Sequence, residues 1–254
     1  MGWEVLKKRI IPLMLLSGDR LVKGVNFSSH RDVGNPVKSA KVYSDQDADE
    51  LIILNINGHS GIKSLLNILP SLTRNVFMPL SLGGGIKTFE DAALLISNGA
   101  DKVVINTGAY NTELISDISN RFGVQAVVVS IDVRLKYGKY ILYSENGTVK
   151  QRIGLEEHVK SCIEKGAGEL MIQCIDLDGS VSGFDENLAK KVLGICNIPV
   201  ILASGCGNYS HIKSAFMNVD IAAVSCGSLF NFSDSSPIRA KSYLSNYGIK
   251  YKLL

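Results

Sequence analysis

The feature that most constrains this chain is a repeated alternation. Short apolar runs recur at 10–16, 51–56, 78–82, 102–106, 125–131, 169–175, 198–203 and 221–225. Between most of them lie helix-like stretches, such as 90–98, 112–122, 155–165 and 186–196. Runs that are apolar throughout, and not at every second position, belong to parallel strands covered on both faces. Eight such units in 254 residues match the number that closes a (β/α)8 barrel. An open doubly wound sheet needs a glycine-rich turn directly after its first strand, and Leu16-Ser17-Gly18-Asp19 is a poor one. The expected fold is therefore α/β, a single (β/α)8 TIM barrel over residues 1–254.

An internal repeat points the same way. Asp49-Glu50-Leu51-Ile52-Ile53 echoes Gly168-Glu169-Leu170-Met171-Ile172, and Asn98-Gly99-Ala100-Asp101 echoes Met217-Asn218-Val219-Asp220. Met78-Pro79 leading to Gly83-Gly84-Gly85 echoes Ile198-Pro199 leading to Ser204-Gly205. Each pair is separated by about 120 residues, as two duplicated half-barrels over roughly 1–122 and 123–254 would give.

Composition narrows the function classes. A formal charge of +3 from 27 basic and 24 acidic residues offers no case for nucleic-acid or membrane binding. The longest apolar stretches are strand-sized, too short for a spanning helix. Lys7, Lys8 and Arg9 are not followed by an apolar run with a small-residue cleavage site, so no signal peptide is expected. Five scattered cysteines without a C-x-x-C pair read as buried free thiols, which places the protein in a reducing cytoplasm. The four histidines are not at metal-ligand spacing, and nothing calls for a metal or another cofactor.

Function in such a barrel sits at the C-terminal ends of the strands. The third and fourth runs lead into Leu82-Gly83-Gly84-Gly85-Ile86 and Ile105-Asn106-Thr107-Gly108. Their repeat partners lead into Ala203-Ser204-Gly205-Cys206-Gly207 and Ser225-Cys226-Gly227-Ser228. Glycines let backbone N–H groups approach an anion, and hydroxyls add donors. Two such pairs predict two phosphate sites across the mouth and a ligand with a phosphate at each end.

At this point the chain resembles the HisF family, the cyclase subunit of imidazole glycerol phosphate synthase, along essentially its full length. The matching runs include Lys8-Arg9-Ile10-Ile11, Lys23-Gly24-Val25-Asn26-Phe27, Gly83-Gly84-Gly85-Ile86, Gly99-Ala100-Asp101-Lys102-Val103, Asp176-Leu177-Asp178-Gly179 and Ala203-Ser204-Gly205. The resemblance implies a barrel that docks a HisH-like glutaminase at its N-terminal face and passes ammonia to the mouth. There a bisphosphorylated ribulosyl aminoimidazole carboxamide nucleotide is converted to imidazole glycerol phosphate and an aminoimidazole carboxamide ribotide. By the same resemblance Arg9, Glu50, Lys102 and Glu169 form the charged gate at the strand starts, and Asp101 faces the glutaminase. Lys23 is implied as a flexible-loop lysine touching substrate. Gly84, Gly85, Asn106, Thr107, Asp178, Gly179, Ser204, Gly205, Gly227 and Ser228 are implied as phosphate and substrate contacts.

The resemblance breaks at the proton-transfer pair. The family uses two aspartates, one to protonate and one to deprotonate, a division that needs two titratable groups. Asp132 matches the second, but the first falls on Leu15, which cannot exchange a proton. Asp19 would reach the site only through a slip, and Arg20-Leu21-Val22-Lys23-Gly24 keeps the register in phase. Asn55 replaces an aspartate, Asn146 a serine, and Cys206 the second glycine of the later Ser-Gly-Gly motif, where a Cβ is expected to restrict the loop.

Three readings follow. The first is a HisF-like subunit kept for ammonia delivery but retired from cyclisation. Bacterial paralogues of this kind resemble the chain in the apolar Pro12-Leu13-Met14-Leu15-Leu16 stretch. They serve, with a sugar amidotransferase, the conversion of an acetamido to an acetamidino group on a surface-polysaccharide sugar. The second is the authentic cyclase of histidine biosynthesis with altered acid/base chemistry. The third is a barrel that only senses a phosphorylated metabolite, which would need no charged gate.

Overall fold

The computed structural model describes residues 7–251. The first six residues, part of the stretch on which the signal-peptide expectation rests, lie outside the described residues. Eight strands follow one another: β1 Arg9–Ser17, β2 Leu51–Asn55, β3 Leu80–Gly83, β4 Lys102–Ile105, β5 Val127–Lys136, β6 Glu169–Cys174, β7 Val200–Ala203 and β8 Ala223–Cys226. Each pairs in parallel with the next, and β8 returns to β1 with Arg9 opposite Ala223. The sheet is thus a closed barrel, wrapped by helices α1 Pro36–Asp45, α2 Ile62–Asn75, α3 Phe89–Ser97, α4 Thr112–Phe122, α5 Leu155–Glu164, α6 Glu186–Leu193, α7 Tyr209–Asn218 and α8 Pro237–Ser245. Among the described residues no helix is long and apolar enough to cross a membrane.

The uniformly apolar runs are explained by two cores. Outward-facing residues such as Ile10, Met14, Leu51, Ile53, Val127 and Val129 pack beneath the helices. Their neighbours Ile11, Leu13, Ile52, Val104, Val128, Met171, Ile201, Ala203 and Ala223 fill the barrel interior. Because side chains alternate along a strand, the inner-core members fix the inward parity of their strands, and on β3 the outer-core Leu80 and Leu82 leave Ser81 facing inward. That parity also turns Arg9, Glu50, Ser81, Lys102 and Glu169 inward below the inner core, and Leu15, Ser130, Asp132 and Gln173 inward above it.

Helix starts follow local chemistry. Asn35, Asp185, Asn208 and Ser236 each accept a backbone N–H with a side-chain oxygen, and Thr88 with Asp91 forms a capping box. The strands after the two prolines begin later than the sequence suggested, at Leu80 and Val200. Pro79 and Pro199 have no N–H for the ladder, yet their carbonyls accept from Leu51 N and Leu170 N at matching places in the two halves.

Two antiparallel additions were not anticipated. After β1, strands Arg20–Val25 and Ser28–Gly34 form a hairpin, with Leu15 opposite Val22. Strand β5 runs beyond 131 to Lys136 and folds back as Lys139–Ser144, joined by Val149–Lys150. The second hairpin turns at Tyr137 and Gly138, both at positive φ (51° and 73°), the conformation that matches strand twist in a two-residue turn. Asp19 sits exposed in the turn before the first hairpin, away from the barrel interior. Of the five cysteines, all free, Cys196 is only half-buried and the other four are buried.

Candidate functional site

At the N-terminal end of the barrel, four charges close a ring. Arg9 donates to Glu50 at 2.8 Å and also to Glu169, and Lys102 Nζ lies 2.9 Å from Glu50 and 3.1 Å from Glu169. Ser81 Oγ adds a bond to Glu50 Oε1 at 2.5 Å. Both glutamates are buried while Arg9 and Lys102 keep about a fifth of their side chains exposed (21% and 19%). Strictly alternating signs leave no buried charge without a partner, the condition for keeping them there. Asp101 is exposed on the same face, and its carboxylate accepts from Leu80 N at 2.8 Å, capping the start of β3.

Above the ring the inner core is apolar, and above that opens a cavity of about 370 Å³. Leu13, Leu15 and Leu54 make one wall; Ser130, Asp132 and Gln173 make the facing one. Strands β1 and β5 stand on opposite sides of an eight-stranded closure, so Leu15 and Asp132 face each other across it. Asp132 Oδ1 accepts from Ser130 Oγ and from Gln173 Nε2, each at 3.1 Å. Burial pushes the Asp132 carboxyl up to about 7; the two hydrogen bonds oppose this and the charge of Asp178 adds to it. A carboxyl poised there exchanges protons near neutrality. Leu15 supplies no partner for it.

Ser130 and Gln173 were missed by the sequence reading. The available signal was spacing: Ser130 precedes Asp132 by one inward step, and Gln173 is the register partner of Asp132 on β6.

The phosphate-type loops divide into two groups. Gly84, Gly85, Asn106 and Thr107 border the cavity. Gly84 and Gly85 hold φ of 91° and 88°, and a Cβ on either would lie 1.9 Å from Asn55 O or 2.2 Å from Gly58 O, so only glycine fits. Asn106 Nδ2 donates to Ser130 O, and Thr107 Oγ1 accepts from Glu145 N. By contrast Gly179, Ser204, Gly205, Gly227 and Ser228 do not border the cavity. The first hairpin lies against this side: a Cβ on Gly179 would meet Gly24 O at 2.6 Å, and one on Gly227 would meet Lys23 Cε at 3.2 Å. Ser204 takes the left-handed conformation of its repeat counterpart Gly84 (φ 72°), and its Oγ is buried without a partner among the described residues.

Two expectations are corrected. Lys23 is not in a flexible loop: it lies in strand Arg20–Val25, buried, with Nζ 2.9 and 3.0 Å from the two oxygens of Asp178 and 2.8 Å from Gly24 O. It still borders the cavity, where it neutralises the buried Asp178. Cys206 does not restrict its loop, because the left-handed residues are Ser204 and Gly205. Cys206 is outside that region, with its thiol directed at Asn208 O.

Asn55 has a role that an aspartate cannot fill. Its Nδ2 donates to Gly58 O at 2.7 Å and to Gly84 O at 2.8 Å, while Oδ1 accepts from Asn57 N at 2.7 Å. It pins the loop after β2 to the glycine loop after β3. Asn55→Asp is expected to strand those two carbonyls at about 1–3 kcal/mol each. The buried carboxyl, facing them, has a folded pKa above its unfolded value of about 3.9. Protonation then favours the fold, so the loss grows as pH rises from about 4 and is complete above the raised folded value. Thermal melts of the variant and wild type at pH 4.5 and 8 read this; an equal gap at both goes against it.

Comparison with known proteins agrees with this architecture. The model of the histidine biosynthesis protein family matches residues 9–235. The imidazole glycerol phosphate synthase subunit HisF of Flavobacterium johnsoniae is 37% identical over 251 residues, covering 98% of this chain and 100% of that protein. The subunits of the same name from Bacillus pumilus and Exiguobacterium sibiricum are 35% and 38% identical over 252 residues, with 98% and 100% coverage in both cases.

Proposed function

The chain belongs to the HisF family of histidine biosynthesis proteins, and from that premise we propose that it is a synthase subunit that receives ammonia from a glutaminase and has lost half of the cyclase's proton-transfer pair. The observation that carries this is the selective substitution inside one cavity: Leu15 on β1 faces Asp132 on β5, while the four-charge ring beneath is complete. A ring of balanced charges over an apolar interior suits a gate that admits a small neutral molecule and excludes ions, since an ion would need its hydration replaced there. The glutaminase docks at the N-terminal face beside Asp101, and ammonia leaves at the mouth.

In this reading a phosphorylated ligand is held at Gly84, Gly85, Asn106 and Thr107, and Lys23 with Asp178 closes the far side. The acceptor of the ammonia is a sugar acetamido group of a surface polysaccharide, acted on with a sugar amidotransferase. That assignment rests on the resemblance of the Pro12-Leu13-Met14-Leu15-Leu16 stretch to bacterial paralogues with this role.

A second reading, the authentic cyclase, is favoured by one observation: Asp132 keeps a proton affinity suited to catalysis near pH 7. The two separate in one assay. The purified chain, given ammonium and the bisphosphorylated substrate of the HisF reaction, is expected to show no turnover useful to a cell. Turnover at the rate of an ordinary HisF subunit would sink the first reading.

A further inference from the structure

We propose that Gln173 is the positioning residue of this cavity: its amide holds one oxygen of Asp132 and orients the Ser130 hydroxyl, so that the other carboxylate oxygen is the one presented to a ligand. The inference rests on the reading of Asp132 as the surviving proton-transfer group. Gln173 Nε2 donates to Asp132 Oδ1 at 3.1 Å and to Ser130 Oγ at 3.2 Å. Because the hydroxyl oxygen accepts from Gln173, its own hydrogen is directed to Asp132 Oδ1, 3.1 Å away. One amide thus sets both donors on a single oxygen. Asp132 Oδ2 and Gln173 Oε1 have no hydrogen-bond partner among the described residues, which leaves them to whatever occupies the cavity. Both residues border the cavity. Two acceptors left free on residues that line the cavity suit a small donor with several N–H groups, and ammonia is such a donor.

The same geometry tunes the proton affinity of Asp132. Burial raises it, and the two donors, which favour the ionised form, hold it near neutrality. Few other charges compete. The loop after β6 brings Asp178, paired with Lys23 of the first hairpin, and Tyr110 lies on the turn after β4. His30, held below its usual range by burial and then by Lys23, stands at the margin with His59, Lys87 and Glu145. Strand β1 contributes only Leu13 and Leu15 to the cavity, and β4 only Val104.

The test is a carbon-13 NMR titration of the Asp132 carboxyl in full-length protein labelled at aspartate, with the resonance assigned by its loss in Asp132→Asn. Gln173→Met, similar in length but without donors, is expected to raise the Asp132 midpoint by roughly 1–2 pH units. Ser130→Ala, which removes the other donor to the same oxygen, is expected to raise it as well, and it carries the test should Gln173→Met not fold. A purely structural glutamine would lower the melting temperature without moving the midpoint. A midpoint within the error of wild type in the folded variants overturns the proposal. The titration uses neither ammonia nor substrate, so failure of the ammonia-delivery reading in the turnover assay is distinguishable from failure here.

Discussion

Leu15→Asp is expected to raise ammonium-dependent cyclase turnover by about 10²–10⁴-fold, the range one general acid or base supplies. The substitution lies at an inward position of β1, next to Leu13 and across from Asp132. Leu15 is only half-buried and borders an open cavity, so a carboxylate there keeps access to water. Two carboxyls facing one cavity repel each other's ionised forms, which drives their proton affinities apart. One then serves as acid and the other as base, the division the reaction needs. Leu15→Asn is the control: it has the size and polarity of aspartate but does not titrate. A rise in the aspartate variant alone, measured as product formation at saturating ammonium, assigns the deficit to the missing proton-transfer group. Equal rates in both variants and the wild type would mean that some other change, Asn55 or Asn146, limits the chemistry.

The largest expected effect on stability lies on the opposite face. Lys241 of helix α8 is buried, with Nζ 2.9 Å from both Asp47 Oδ2 and Asp49 Oδ1. The other oxygen of Asp49 accepts from Ile10 N at 2.7 Å, so this cluster fastens the last helix to the first strand. Lys241→Met keeps the length of the side chain and removes the charge, leaving two carboxylates packed together. Removing one partner of a buried ion pair costs about 3–5 kcal/mol, which for a chain of this size lowers the melting temperature by roughly 6–20 °C. The sign with pH follows from Asp49. Burial already holds its carboxyl above the usual range, against the hydrogen bonds from Ile10 and Lys241, and losing Lys241 raises it further. The protonated form is then favoured in the folded chain, so the deficit is smallest below the unfolded pKa of about 3.9 and grows as pH rises through the folded value. Melting curves across pH 4–8 check this. Asp49→Asn in the Lys241→Met background is expected to recover part of the loss, and no recovery would place the cost in packing instead.

Much of this molecule was legible residue by residue. Eight doubly apolar runs implied a closed parallel barrel, because only a strand covered on both faces is apolar at consecutive positions. Period-two alternation then carries Arg9, Glu50, Lys102 and Glu169 into the barrel at one end, and Leu15 and Asp132 at the other. Whatever depended on segments that leave the alternation was not legible. The segment of the hairpin after β1 was expected only as a flexible loop around Lys23. So the burial of Lys23 against Asp178 was invisible, as was the separation of Gly179, Ser204, Gly205, Gly227 and Ser228 from the cavity. Asn55 read as a lost carboxylate because its two donor bonds go to carbonyls 3 and 29 residues away.

The sequence alone therefore determined the barrel, the inward order of its residues and the absence of a carboxyl at Leu15, because these depend on side-chain type and strand period. Only the tertiary structure decided which groups meet. Gln173 reaches Asp132 across the β5–β6 pairing, and the charge ring closes from strands up to 160 residues apart. Contacts of that kind depend on register, hairpin placement and burial, which no local pattern in the chain records.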